Sequence, residues 1–184
     1  YSLLDSVPES AYDDLARLAA TLCQAPAAAI ALVDNGRVWF KARVGLKESE
    51  RPRSDSICHR LIAEAQPDHV LVVEDIADDP RFAGLGLKLE GRPLRFYAGA
   101  PLLSPDGYAL GTLCVMDAVP RELRGAQREG LAAIARQVQH LFELRCPLLF
   151  VQGTSDELAD ARLMRSLLGD LGQRATLESI AQAD

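Results

Sequence analysis

Ala28-Ala-Ile-Ala-Leu-Val-Asp34-Asn35-Gly36-Arg37-Val-Trp-Phe-Lys-Ala-Arg-Val44 is two apolar runs split by Asn-Gly. Both turn residues tolerate the positive φ that a two-residue hairpin loop demands, so the stretch reads as an antiparallel hairpin. Upstream, Tyr12, Leu15, Leu18, Ala19 and Leu22 recur at three- and four-residue steps, with Asp13, Asp14 and Arg17 on the other side. That spacing predicts an amphipathic helix over Ser6–Gln24. Ser6 serves as its cap, Pro8 lies in its first turn and Pro26 closes it.

Downstream, the polar stretch from Gly45 to Ser54 reads as a loop. Ser56–Ala65 follows as a short helix with Ile57, Leu61 and Ile62 on one face, then His69–Val73 as a strand. Asp79-Pro80 caps a brief helical turn, and the Gly- and Leu-rich stretch Gly84–Gly91 reads as a mobile loop. Arg95–Leu102 and Ala109–Met116 flank the turn tripeptide Pro105-Asp106-Gly107, which makes a second hairpin. A long helix runs from Arg121 to about Leu144. Hairpin-built strands bracketed by helices give the α+β class: a central antiparallel sheet, one face under the terminal helices and the other under the Gly45–Gly91 loops.

The chain's 184 residues suffice for one core, or one core and an appendage. With 48% hydrophobic and 25% charged residues it is neither disordered nor fibrous. Twenty basic against 26 acidic residues leave a formal charge of -6, which argues against nucleic acid and anionic membrane as partners. The longest mostly apolar run, Ala25–Val33, is too short to span a bilayer. No signal segment opens the chain, which starts at Tyr1 and so reads as a processed or partial sequence of cytoplasmic origin. Cys23, Cys58, Cys114 and Cys146 are scattered without metal-ligand spacing, so they are read as free, reduced thiols and no metal site is expected. Cys23 and Cys114, inside apolar runs, read as small buried hydrophobes.

Six pieces standing in order then carry a family resemblance: Ala31-Leu-Val-Asp34, Val38-Trp-Phe-Lys41 with Gly45-Leu46, Ser56-Ile-Cys-His59, Val73-Glu-Asp-Ile-Ala-Asp-Asp-Pro-Arg-Phe82, Arg95-Phe-Tyr-Ala-Gly-Ala-Pro-Leu102 and Gly111-Thr-Leu-Cys-Val-Met-Asp117. Together, residues 3–145 resemble a GAF domain of the bacterial signalling type, with a GAF/PAS-like sheet and a ligand-pocket side opposite the terminal helices. The resemblance implies a module that senses a small molecule or dimerises, attached to a kinase, cyclase or transcription output module. It implies no catalysis by this chain. The pocket candidates are Cys58, Asp75, Arg81, Phe82, Arg95, Tyr97 and Gly99.

These residues also have readings of their own. Asp75 and Asp117 end apolar strands, where a carboxylate accepts backbone N–H groups of the following turn. Asp78, Asp79 and Arg81 form either a solvated ion-pair set or, through Arg81 and Phe82, part of a ligand contact. Phe96 and Tyr97 point to opposite faces of their strand. Cys58 and His59 are adjacent, but neighbours on a helix point about 100° apart, which favours a buried Cys58 and a partly exposed His59 over a reactive pair.

Enzyme relatives of the resembled family bear on the same residues. A free methionine sulfoxide reductase would place a resolving-type thiol near Cys58, and its nucleophilic thiol in the loop after Asp75, where this chain has no cysteine. The Cys-His dipeptide that attaches a bilin is absent from that region too, so no covalent bilin is expected and the cofactor stays unknown. The alternatives are thiol-redox chemistry at Cys58 and a ligand-free structural GAF fold. Leu131, Ile134, Val138 and Leu141 step like a coiled-coil seam, which points to a homodimer through the terminal helices.

After Arg145 the character changes. Cys146-Pro147 stops the helix, Leu148–Val151 and Ala175–Ile180 read as strands, and Asp156–Leu171 reads as a helix between them. Residues 146–184 thus form a βαβ-like appendage. It resembles a late fragment of a dienelactone-hydrolase-like α/β-hydrolase, with Asp156 at the position of the triad acid. The chain has neither the nucleophile elbow nor the histidine that such a triad needs.

Overall fold

The computed structural model describes residues 3–63, 66 and 68–143, together with the backbone of 148–153 and 175–180. The chain divides into two units, one over residues 2–143 and the other over the segment from Leu144 onward.

In the first unit, helix α1 (Ser10–Cys23) leads into β1 (Ala27–Val33) and β2 (Arg37–Val44). A short β3 (Glu50–Pro52), helix α2 (Ile57–Ala63) and β4 (Leu71–Val73) follow. A minute hairpin, β5 (Lys88–Leu89) and β6 (Arg92–Pro93), precedes the long strands β7 (Phe96–Leu103) and β8 (Ala109–Asp117), and α3 (Gly125–Glu143) closes the unit. Six strands form one sheet in the order β3-β2-β1-β8-β7-β4, every neighbouring pair antiparallel. With three helices around it, this is an α+β fold. Among the described residues no helix is long and apolar enough to cross a membrane.

β1 lies inside the sheet and is buried on both faces. Ala28, Ile30 and Leu32 join the core under α1 and α3, while Ala27, Ala29 and Ala31 face the opposite layer. The period-two alternation of a strand thus builds two cores from one sequence run. Small residues let the layers and strands close in. A Cβ on Gly111 would lie 1.9 Å from the Ala31 carbonyl oxygen, so β8 passes β1 only because Gly stands there.

The first hairpin forms where Asn35-Gly36 places it, with Val33 opposite Val38, but neither Asn35 nor Gly36 takes a positive φ. The turn is held otherwise: the Asp34 carboxylate accepts the Asn35 N–H at 2.7 Å, and the Gly36 carbonyl accepts the Arg53 N–H at 3.1 Å. The pair with positive φ is Glu90-Gly91, at 48° and 83°, which turns the β5–β6 hairpin inside the stretch read as a mobile loop. That stretch also carries a 3₁₀ turn at Ala83–Leu85.

A register shift opposite Ile30/Ala31 bulges β2 at Lys41. The bulge switches Phe40 and Ala42 to opposite faces and turns the Lys41 side chain under α1. Its ammonium donates to Ser6 Oγ and the Val7 carbonyl, each at 2.7 Å, pairs with Glu9, and lies 5.0 Å from the Tyr12 ring centre. Ser6 is therefore an anchor for Lys41, and not the helix cap that its place in the sequence suggested. Glu9 takes the cap position, without a side-chain bond to the helix.

The expected seam of α3 is spent within the unit: Leu131, Ile134 and Val138 are buried in the helix-side core. Leu18 on α1, 52% exposed, is the large apolar side chain these helices leave open.

In the second unit β9 (Leu148–Gly153) and β10 (Ala175–Ile180) pair in parallel, Ala175 opposite Leu148. The helix expected over Asp156–Leu171 lies outside the described residues.

Candidate functional site

The layer opposite α1 and α3 is built from α2, the segment 74–94 and the facing side chains of β1, β2, β7 and β8. Alternation sends Tyr97 and Gly99 of β7 to this side, together with Thr112, Cys114 and Met116 of β8. The ladder sets Tyr97 opposite Met116 and Gly99 opposite Cys114. α2 lies across them, and its second residue, Cys58, is 5% exposed. Ser56 begins α2 by accepting the Cys58 N–H on its hydroxyl at 3.2 Å.

At the centre is a cavity of about 10 Å³, room for about one water molecule. Cys58, Tyr97 and Cys114 line it, with Ser56, Phe40, Met116, Arg51, Leu87 and Leu94 around them. Cys58 Sγ lies 3.4 Å from Tyr97 Oη, and the Cys114 thiol lines the same cavity. Cys114 Sγ in turn lies 3.6 Å from the Ala29 carbonyl. Thr112 Oγ1 is fully buried and finds no hydrogen-bond partner.

The Cys58 thiol is held below its ordinary range, first by the neighbouring Cys114 thiol and also by the Tyr97 and Ser56 hydroxyls, against a burial that pushes it up. Cys114 is driven well above its ordinary range, by the neighbouring Cys58 thiol and by burial. The two thiols are thus unequal, with Cys58 shifted toward the thiolate and Cys114 away from it. Burial also drives the Tyr97 hydroxyl far up, so it stays a donor.

Of the residues singled out in the sequence, Cys58 and Tyr97 meet at this cavity, and Gly99 backs the Tyr97 ring. A Cβ on Gly99 would stand 2.6 Å from Tyr97 Oη and 2.9 Å from two ring carbons, so the ring rests against bare backbone. Phe82 belongs to the same buried layer, under the Arg60 and Arg81 guanidinium groups at 5.8 and 5.0 Å. Arg81 itself lies on the outside, paired with Asp79 at 2.7 Å, in an open groove of about 530 Å³ shared with His59, Arg60 and Leu61. Asp75 and Arg95 stand apart from the cavity and clasp each other, Arg95 Nε to Asp75 Oδ1 at 2.7 Å. Asp75 also accepts the Ala77 N–H at 3.1 Å. His59 faces away from Cys58, with Arg53 Nε donating to its Nδ1 at 2.9 Å.

Sequence reasoning missed Cys114, Thr112 and Arg51. Cys114 was read as an inert hydrophobe because its run is apolar. The available signal was the spacing Thr112, Cys114, Met116, which puts a hydroxyl and a thiol on the pocket side of one strand.

The pattern of the GAF domain family matches residues 7–140. The chain is 38% identical, over 120 residues, to a cyclic di-GMP phosphodiesterase of Pseudomonas aeruginosa; this is 65% of the chain and only a fifth, 20%, of that relative's length. Among solved structures it is similar to the GAF domain of an Acinetobacter phosphoenolpyruvate-protein phosphotransferase, at TM-score 0.61 and 19% identity over 77% of this chain and 86% of that one. It is also similar to a type II free methionine-R-sulfoxide reductase of Thermoplasma acidophilum, at TM-score 0.58 and 13% identity over 72% and 89%. The hydrolase resemblance of the tail finds no support in these comparisons. They also correct the expectation that the chain is no enzyme: one relative is named a phosphodiesterase and one neighbour a reductase, so the family and the fold do not stand apart from enzymatic function. Sheet order, the two-layered burial and a match over residues 7–140 agree, and the chain belongs to the GAF domain family.

Proposed function

We propose that this GAF domain is the sensory module of a cyclic di-GMP phosphodiesterase, and that events on the pocket face set the rate of cyclic di-GMP hydrolysis. The observation that carries this reading is the 38% identity over 120 residues to a phosphodiesterase of which the chain spans about a fifth. That output takes the place of the kinase, cyclase or transcription module expected from the resemblance. The geometry supports a receiving role for the pocket face. The layer opposite α1 and α3 holds Cys58, Tyr97 and Cys114 around a buried cavity, beside the open groove of Arg81 and His59. At about 10 Å³ that cavity is far below the several hundred Å³ of a small-molecule site.

The test is to purify the full-length product of the gene and the same product lacking residues 7–140, and to measure cyclic di-GMP hydrolysis by each. A severalfold difference in rate is expected, in line with coupling energies of roughly 1–3 kcal/mol between sites. Equal rates, or no hydrolysis by the intact product, would overturn the reading.

A further inference from the structure

Cys58 and Cys114 come from elements 56 positions apart in sequence and meet in one closed cavity. Packing alone asks for none of the chemistry around them. Alanine or valine would fill such sites, and a buried hydroxyl without a partner, as at Thr112, costs about 1–3 kcal/mol. The Tyr97 hydroxyl reaches Cys58 at 3.4 Å, and the Cys114 thiol stands in the same cavity. Arg51 stands in the cavity wall, and its positive charge acts on Cys114. That is the environment a sulfur needs when it becomes a thiolate and pushes electrons into a weak bond.

We propose that Cys58 and Cys114 are an oxidisable dithiol that hydrogen peroxide converts to an intramolecular disulfide. Its role as the signal that the pocket face receives rests on the phosphodiesterase reading above; the disulfide itself does not.

The step balances as follows. The Cys58 thiolate attacks one peroxide oxygen, so an S–O bond forms as the O–O bond breaks. The departing hydroxide takes up the proton that Cys58 had given away and leaves as water. Cys58 is now a sulfenic acid. The Cys114 sulfur attacks it, the S–S bond forms, the S–O bond breaks, and the second hydroxide leaves as water with the Cys114 proton. Two thiols lose two electrons, one peroxide gains them, and two waters result. The bond of about 2.05 Å forms across the shared cavity, between the packed elements α2 and β8.

The cavity matches a small oxidant, with space for about one water. Its outer wall includes Leu87 and Leu94, which bracket the β5–β6 hairpin and are joined by the Leu94 N–H to Leu87 carbonyl bond of 2.9 Å. A hairpin of two residues per strand is marginal by itself, so it is the piece that yields for entry. Cys23 supplies the contrast. It is buried in the helix-side core, where burial alone pushes its thiol up to about 11, and no donor set surrounds it.

The experiment treats the reduced full-length product with one equivalent of hydrogen peroxide and maps its tryptic peptides by mass spectrometry. Peptides 54–60 and 96–121 should appear joined, lighter by two hydrogens and separated again by dithiothreitol. Cys58 should oxidise about tenfold faster than Cys23, and Cys114→Ser should stop at a Cys58 sulfenic acid that dimedone traps. Cyclic di-GMP hydrolysis by the joined form should differ about fivefold or more from the reduced form. Unmodified Cys58, equal oxidation of Cys23, or Cys58 joined only to another chain would overturn the dithiol. The wild-type map decides this even if the variant fails to fold. A joined pair with unchanged hydrolysis would overturn its role as signal and leave the disulfide standing.

Discussion

Gly99 sits where packing and thiol chemistry share one contact. The Tyr97 ring lies against its bare Cα side, and that position sets Oη 3.4 Å from Cys58 Sγ. Both partners are fully buried, so a methyl group at 99 cannot be met by a side chain swinging into water. Gly99→Ala should therefore push the ring off its place and destabilise the fold by about 1–3 kcal/mol, the usual range for overpacking. Denaturant titration reads the loss, and an unchanged midpoint would show that the ring has room to yield. Tyr97 and Gly99 were legible in the sequence because small residues after aromatics on a strand mark a close approach. Cys114 was not: its neighbours Leu113 and Val115 look like any core run, and only the register that pairs it with Gly99 turns it toward Cys58.

Carboxylates at strand ends knit the sheet's β4 side together. The Asp75–Arg95 clasp joins the chain after β4 to the start of β7, the Ile76 N–H reaches the Arg95 carbonyl at 2.6 Å, and the Arg95 N–H reaches the Asp117 carbonyl at 2.9 Å. Asp117 repeats the device with the Val119 N–H at 3.2 Å and with Arg121. Arg95 beside it, and next the Ala77 N–H, hold the Asp75 carboxyl below its ordinary value against the opposing effect of burial. A carboxyl depressed in the folded chain adds stability that is fully present above the unfolded value of about 4 and is lost as pH falls through the folded value. Asp75→Asn should therefore melt below the wild type by a constant interval above about pH 5, with the interval narrowing as pH falls below about 4. An interval independent of pH would mean that the charge of Asp75 does not act. The strand-ending role of both aspartates was readable from position, since an apolar run that stops at Asp needs its next N–H groups satisfied. The hairpin turns were only half readable. Asn35-Gly36 marks the first turn but not its conformation, because Arg53 and the Asp34 carboxylate supply contacts from outside the dipeptide, and Glu90-Gly91 gave no conventional turn signal at all.

Composition alone hides any division of the chain, since both parts are ordinary globular sequence; the family match ends at residue 140 and the first unit at Glu143. Among the described residues, the two buried layers, one on each face of the sheet, run from Leu3 to Phe142. Every strand of the six-stranded sheet lies in that range as well. Residues 2–143 carry the whole six-stranded sheet and the helices packed on it, and they should therefore fold as a cooperative unit when expressed alone. Their thermal midpoint should lie within about 4 °C of that of the 184-residue chain, which for a domain of this size corresponds to about 1 kcal/mol or less. Their Cys58 should keep its rate advantage over Cys23, because every group that acts on it is present. Loss of a cooperative transition, or a Cys58 no faster than Cys23, would show that the second unit takes part in building the pocket face.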